Sequence, residues 1–544
     1  MNIIKSNLYF FLILILGLIV RLFYLINYSG ELNIPNLGGD PCHHFNSALN
    51  VSNFFIPKND FIFAYWFRHE NLPALIDIYP PGFYLILGIF LFIFGDTYFL
   101  ARIFNLLIGL LNIFFAYLIG IKLKSKTLGV LSALSVAINI FHIENSVILM
   151  NVVFSMLAIQ IVILSYLFSK NWFLIGICNG FAYLSYSASN VIIILIIVFL
   201  IYDYYSRIIS IKNLFKNILL LLLGFIIIIF PWLVINYQYF GSILYSHQNF
   251  YPFTASFSNM MHETSPPSIS EYLNLNFNLK LINNYFTWFI KDIFQSSLFL
   301  TPTLFFFLSI LFYPLLILSF ILGEKKIKLL FLIFFSIFGL NVIGSNANYG
   351  VLWPRHYIPV LSLSSILVFY GFLNLIEKNN INKYFVKNSY YPFFSKLFNN
   401  FYIVGISILI INLSTIIGLI YKDTYVDKSF WNKETSHFYN FGKWINQNTE
   451  NSDRIMYALT PQDAWCASGR MIIGDPTFRL SEDPLRAKQE IEYYDVKYLW
   501  IDLSSHIYER NDNIENVIKL YENINLKLIK KDDLNKYYFY EIIK

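Results

Sequence analysis

The chain is short of charge, short of cysteine, and has no acidic residue midway along any of its long apolar runs. Charged residues make up 13% of 544, about half the share found in soluble globular proteins, which excludes a single soluble fold. Three cysteines, Cys42, Cys178 and Cys466, without a CxxC pair exclude a disulfide-built scaffold. Cys42 and Cys466 can share one compartment, but nothing in their spacing predicts a bond between them. Internal repeats, low-complexity tracts, Walker sequences and GxGxxG loops are also missing. The only ionisable residue well inside an apolar run is Arg21. With no carboxylate midway along any other run to face it, an ion-coupled transporter is disfavoured.

What is present in abundance is apolar sequence. Runs of spanning or near-spanning length lie at 8–28, 98–121, 127–142, 147–168, 172–186, 189–204, 214–235, 297–322, 327–345, 356–376 and 401–421, which predicts about eleven transmembrane helices. The first run is too long for a signal-peptide core and lacks a small-x-small cleavage site, so it reads as an uncleaved span. The segment "PPGFYLILGIFLFIFG" (80–95) reads as a helix in the outer interface, opened by its two prolines. Counting it as a span would place Lys122, Lys124 and Lys126 outside and reverse every later loop.

With that assignment, the inner loops before residue 422 carry fifteen Lys/Arg and the outer loops six. This bias predicts a cytoplasmic N-terminus and an external C-terminus. The net charge of +6 follows from that topology and does not point to nucleic acid. Ten of the thirteen acidic residues before 422 fall outside, so carboxylate chemistry belongs to the outer face. Residues 422–544 carry 17 Lys/Arg and 20 Asp/Glu, a soluble density. Helix-period and strand-period segments there ("FYNFGKWINQNT", "RIMYAL", "VKYLWID", "IENVIKLYENI" and a hairpin over 527–543) predict a small α/β domain.

The first outer loop, 29–97, holds "GGDPCHH" and "DIYPPGFY", followed by "FGDTYFLARIFNLLIG". Asp40 before proline is either a turn residue or a carboxylate for catalysis. His43 and His44, with Asp40 and Cys42, and Asp77 further along the loop, offer metal-ligand types without a ligand spacing; hydrogen bonding in the loop or to substrate is the other reading. Arg102, about one turn into the second span, either snorkels to headgroups or faces an anion. "INIFHIENSVILMN" (138–151) puts His142 and Glu144 at the next outer turn, with Asn145 and Ser146 as cap residues. "SNANYGVLWPRHYIP" (345–359) brings Arg355 and His356 to the same face.

Taken in order, the first-loop aspartate, "YPPGFY", "ARIFNLLIGLLNIFFAYLIGIKL", "PWLVINYQYFGSIL", "PRHYIPVL" and the external domain with "KWINQNT" resemble the GT-C superfamily of polytopic glycosyltransferases. That superfamily includes protein O-mannosyltransferases and the lipid A aminoarabinose transferase. "DPCHH" is also similar to the first-loop DPxxH of the oligosaccharyltransferase catalytic subunit, but the WWDYG sequence of that subunit is missing. The resemblance covers nearly the whole chain. It implies a GT-C transmembrane domain over 1–421, whose 29–97 loop is catalytic, and an external α/β domain over 422–544. It further implies a sugar donor linked to polyprenyl phosphate and a glycan, lipid or protein acceptor, in a multi-pass plasma-membrane protein.

Carried over by position, Asp40 matches the acidic residue that acts as general base. Tyr79 stands where some relatives have a phosphate-binding lysine. Arg102 and Arg355 become the donor-phosphate counter-charges. Glu144 is a loose match to the second acidic position, without an intact DxD, so a divalent metal (Mg, Mn or Zn) is left open. His142 and His356 are further candidates. The chemistry agrees: a phosphate leaves as an anion and needs positive charge, while the acceptor hydroxyl needs one carboxylate to take its proton. Direct attack inverts the anomeric centre, a task for one carboxylate rather than the two of retaining hydrolysis. The competing readings are a polyprenyl-glycan flippase, which needs only a polar groove, and an O-antigen-ligase-like enzyme. The latter is disfavoured by the few basic residues in the long outer loop 236–296.

Overall fold

The computed structural model describes residues 2–27, 40–62, 73–76, 79–169, 171–241, 243, 306–349, 354–377, 428–457, 461–474, 484–503, 518, 521, 524–534 and 536–543. The first half is helical: α1 (Asn2–Asn27), α2 (Asp40–Phe54), then short strands β1 (Lys58–Asn59), β2 (Phe61–Ile62) and β3 (Ala74–Leu75). There follow α3 (Gly82–Phe94), α4 (Tyr98–Leu123), α5 (Lys126–Ile138), α6 (Ile140–Val147), α7 (Asn151–Phe168), α8 (Trp172–Ser185), α9 (Asn190–Tyr205) and α10 (Ile211–Phe240). The bundle continues with α11 (Phe306–Leu322), α12 (Lys325–Tyr349) and α13 (Ile358–Glu377).

Among the described residues, five helices are long and apolar enough to cross a membrane: Leu8–Asn27, Tyr98–Leu123, Asn151–Phe168, Ser187–Tyr205 and Ile211–Phe240. The pair α5 and α6 makes a sixth if counted as one span, bent by 60°. The expected span at 401–421 lies outside the described residues. The expected interfacial segment is α3, a 13-residue helix whose first turn follows Pro81.

The turn expected over 138–151 is instead mostly helix. Asn139 is extended and accepts the His142 N–H at 2.9 Å, so it is Asn139 that caps α6. Asn145 and Ser146 lie within the helix, their side chains bonding back to Phe141 and Ile143 carbonyls. The periodicity of the apolar residues does not register a break whose only local cue is one asparagine.

Helices α8 and α10 approach closely enough that a Cβ on Gly176 would lie 2.1 Å from the Leu221 carbonyl oxygen. One on Gly224 would lie 2.2 Å from that of Phe173. Backbone cannot give way as a side-chain tip can, so Gly224→Ala should force the helices apart. The expected cost is about 2–3 kcal/mol, read as a lower thermal midpoint in detergent.

The C-terminal region folds as α14 (Lys428–Asn448), β4 (Arg454–Tyr457), α15 (Pro461–Ser468), β5 (Met471–Gly474), α16 (Pro484–Tyr493), β6 (Tyr498–Asp502), β7 (Asn525–Lys531) and β8 (Tyr537–Ile543). The sheet order is β2-β5-β4-β6-β8-β7, so its first strand comes from the loop between α2 and α3. Phe61 pairs with Ile472 and Ile62 with Ile473, in parallel. Period-two alternation sends Ile455, Tyr457, Ile472, Trp500 and Phe539 to one face, against Phe438, Phe441 and Ile445 of α14. Met456, Ile473, Leu499, Ile501 and Tyr540 go to the other, against Ile491 and Tyr494. Phe61 joins the first core and Ala74 the second, so the loop packs on both faces of the sheet.

Candidate active site

Helix α2 is polar in sequence yet largely buried, lying between α3 and the sheet domain. Asp40 opens it, with Pro41 behind, a pairing that suits the positive end of a helix and the missing proline N–H. A buried polar helix is tolerable only if its groups are bonded. Ser47 donates to the Asn59 Oδ1 at 2.6 Å, and Ser52 to Asp96 at 3.1 Å. Asn46 and Asn50, one turn apart on one face, both donate to the Asp60 carboxylate, at 2.7 and 3.2 Å. The Asp60 N–H returns a bond to Asn46 Oδ1 at 2.9 Å. Burial raises the Asp60 carboxyl above its ordinary range, opposed by hydrogen bonds from Asn46, Asn50 and Trp465.

At the start of α2 the structure brings together four of the sequence-predicted residues. The Tyr79 hydroxyl donates to Asp40 Oδ1 at 3.3 Å. The His43 and His44 rings lie edge-on to Tyr79, with centroids 5.5 and 5.4 Å away. His44 Nδ1 is 3.1 Å from the Tyr84 hydroxyl. Tyr79 and Tyr84 are the two tyrosines of "YPPGFY", so the proline pair that starts α3 also aims both phenols at α2.

His43 is 2% exposed, and its Nε2 has no hydrogen-bond partner among the described residues. Burial above all, with His44 adding and Asp40 opposing, pushes its imidazole down to about 3. The folded state therefore holds His43 neutral, while the unfolded chain protonates near the ordinary 6.5. Stability tied to this group is complete above pH 6.5 and is lost as pH falls from there toward 3. At pH 5 the loss should be about 2 kcal/mol. His43→Gln should flatten the dependence of the thermal midpoint on pH between 7 and 5; an unchanged slope would show that another group titrates.

The other candidates lie elsewhere. Arg102 is 3% exposed; its Nε donates to the Val147 carbonyl at 3.0 Å and its guanidinium sits 5.9 Å from the Tyr98 ring. Tyr98 in turn meets Phe45 of α2 edge-on, which puts Arg102 one layer beyond α2. Buried in this way, Arg102 does not snorkel into lipid. Glu144 is half-buried on α6. His142 is not at an outer turn but inside the bundle, bonded to Arg21 at 2.6 Å and 3.2 Å from the Asn112 amide nitrogen. Arg355 and His356 share the short 3-10 turn Pro354–Tyr357, where the His356 carbonyl accepts from Asn341 at 2.8 Å. Asp77 lies outside the described residues.

Among the described residues no three His, Cys, Asp or Glu side chains converge as a metal would need. Cys42 is also removed as a thiolate ligand, because it is bonded to Cys466. The described set does not fit a metal, and no step is routed through one.

Sequence reasoning allowed the two cysteines a shared compartment without predicting that disulfide, and it missed Asp60 with its two asparagines. The i, i+4 spacing of Asn46 and Asn50 was the available signal for a polar face in need of a partner. It also missed Tyr439 and Asp463, which the sheet domain places against each other. Burial, Asp463 and the nearby Tyr98 together push the Tyr439 phenol up.

The site is thus a buried polar helix opened by a carboxylate, at the seam between an apolar bundle and an α/β domain. Residues 79–235 match the family described as dolichyl-phosphate-mannose-protein mannosyltransferase. Among solved structures, the chain is similar over 97% of its length to 97% of ArnT from Cupriavidus metallidurans bound to undecaprenyl phosphate, at 11% identity and a TM-score of 0.57. Over the same share it is similar to 74% of the oligosaccharyltransferase AglB from Archaeoglobus fulgidus in complex with an inhibitory peptide and a dolichol-phosphate, at 14% identity and a TM-score of 0.54. An A. fulgidus oligosaccharyltransferase complex with zinc and sulfate is similar at 16% identity and a TM-score of 0.56, covering 97% of this chain and 72% of that one. No curated protein sequence matches. The fold is that of the GT-C membrane glycosyltransferases, and the family match lies within its helical part.

Proposed function

We propose that this protein transfers a sugar from a polyprenyl-phosphate-linked donor to an acceptor hydroxyl at the outer face of the membrane, with inversion. Asp40 takes the proton from the acceptor as its oxygen attacks the anomeric carbon. The observation that carries this reading is the placement of Asp40: first in α2, held by Tyr79, where the apolar bundle meets the α/β sheet. A lipid donor reaches that level from the bundle side and a polar acceptor from the sheet side.

As the glycosidic bond to phosphate breaks, negative charge grows on the phosphate oxygens. Arg102 and Arg355 are assigned to offset it, with Tyr79 as a hydrogen-bond donor. The acceptor is a glycan, lipid or protein hydroxyl. Residues 1–421 form the membrane domain, and 422–544 the external one. The N-terminus is cytoplasmic, which puts Cys42 and Cys466 in an oxidising compartment, where such a bond persists.

The test uses purified full-length protein in detergent, radiolabelled polyprenyl-phosphate sugars as donors, and a membrane extract as acceptor pool, with and without divalent metal. Label passing into the acceptor fraction is the expected result. Failure with every donor, together with movement of labelled lipid across liposomes, would replace this reading with a flippase.

A further inference from the structure

The bond between Cys42 and Cys466 joins residues 424 apart in sequence, with Cα atoms 5.9 Å apart. One partner stands two residues after Asp40, in the first turn of α2. The other lies in the second turn of α15, the helix between β4 and β5. Non-covalent ties join the same two regions. The Ile472 N–H donates to the Asp60 carbonyl at 3.1 Å, and strand β2 adds only two residue pairs to the sheet. Phe61 fills the core beside Ala464 and Ala467, the latter next to Cys466. Such short pairing leaves the disulfide as the strongest link between the helix that begins with Asp40 and the sheet domain.

Proton transfer requires donor and acceptor within hydrogen-bond reach, and a displacement of about 1 Å can cost about 10²-fold in rate. We infer that Cys42 and Cys466 are positioning residues of the transfer reaction. Their bond fixes the first turn of α2, and with it Asp40, against the domain that brings the acceptor. This inference rests on the transferase reading proposed above. In forming the bond, the two thiols lose two protons and two electrons to a disulfide-exchange oxidant, which becomes a dithiol. Dithiothreitol reverses it: the reagent closes to its cyclic disulfide and returns two thiols to the protein.

The experiment begins with wild type that is already folded. Alkylation before reduction should label Cys178 alone, and after reduction all three cysteines. Reduction should lower kcat for sugar transfer at least about tenfold, with KM for the lipid donor within about twofold. Reoxidation by glutathione disulfide should restore kcat. Cys42→Ser combined with Cys466→Ser should match the reduced rate and ignore dithiothreitol, whereas Cys178→Ser should respond as wild type does. Labelling of all three cysteines without reduction, or a kcat that survives reduction, overturns the positioning role and leaves the transferase reading intact. An oxidised wild type that transfers nothing sinks the transferase reading itself and takes the positioning role with it.

Discussion

Asp40→Asn should lower kcat for sugar transfer by about 10²–10⁴-fold, the usual range for losing a general base. The substitution is nearly isosteric, and the asparagine carbonyl can still accept from the Tyr79 hydroxyl that now lies 3.3 Å from Oδ1. The start of α2 should therefore keep its place, and donor KM should change little. What disappears is the ability to take the acceptor proton. Steady-state kinetics with saturating and limiting lipid donor separate the two parameters. A variant with wild-type kcat would reduce Asp40 to a helix-opening residue. A variant with unchanged kcat and a much higher KM would move it to the donor site.

The second large effect is expected in the membrane. Arg21 is fully buried in α1 and bonds only to neutral groups among the described residues. It donates to the carbonyls of Gly17 and Ala137 at 2.9 and 3.1 Å, to Ser146 Oγ at 3.1 Å, and to His142 Nδ1 at 2.6 Å. Three of these four partners belong to the bent pair α5–α6. Ala137 is near the end of α5, where the break at Asn139 leaves carbonyls without helical donors. Arg21 thus closes a break that lipid cannot solvate. From the far side, Arg102 holds the Val147 carbonyl and Asn105 the Asn145 carbonyl at 2.8 Å, so α6 is fixed from two helices.

Arg21→Met removes four bonds while keeping the apolar stem. At about 0.6–1 kcal/mol for each bond inside a bundle, the loss should be about 3 kcal/mol. Thermal unfolding in detergent reads it directly. A midpoint within about a degree of wild type would mean that the bundle repacks around the break. The substitution should also lower kcat by less than Asp40→Asn does, because Arg21 touches α6 and not α2.

The sequence alone determined the membrane character, because apolar runs of spanning length can satisfy their backbone only as helices. It determined the presence of a soluble C-terminal region, because charge density rises where the runs stop. It marked Asp40, His43 and His44, because polar residues crowd beside the end of the first span, whereas Tyr79 was marked only by the family resemblance, at the position before the two prolines. It did not determine that Tyr79 would reach Asp40 across 39 positions, since two helices must pack before those atoms meet. His142 was misplaced at an outer turn because hydropathy treats a capped break and a loop end alike.

The link between the first loop and the C-terminal domain was decided by tertiary structure. Two-residue strands such as β2 carry no periodicity, and Cys42 and Cys466 are distant in sequence with no spacing rule to pair them. Only closure of the sheet around Phe61 brings them within bonding distance. Local patterns set which residues are helix, strand or membrane. Contacts across hundreds of residues depend on which buried faces fit one another, and they decide where the carboxylate that opens α2 is held.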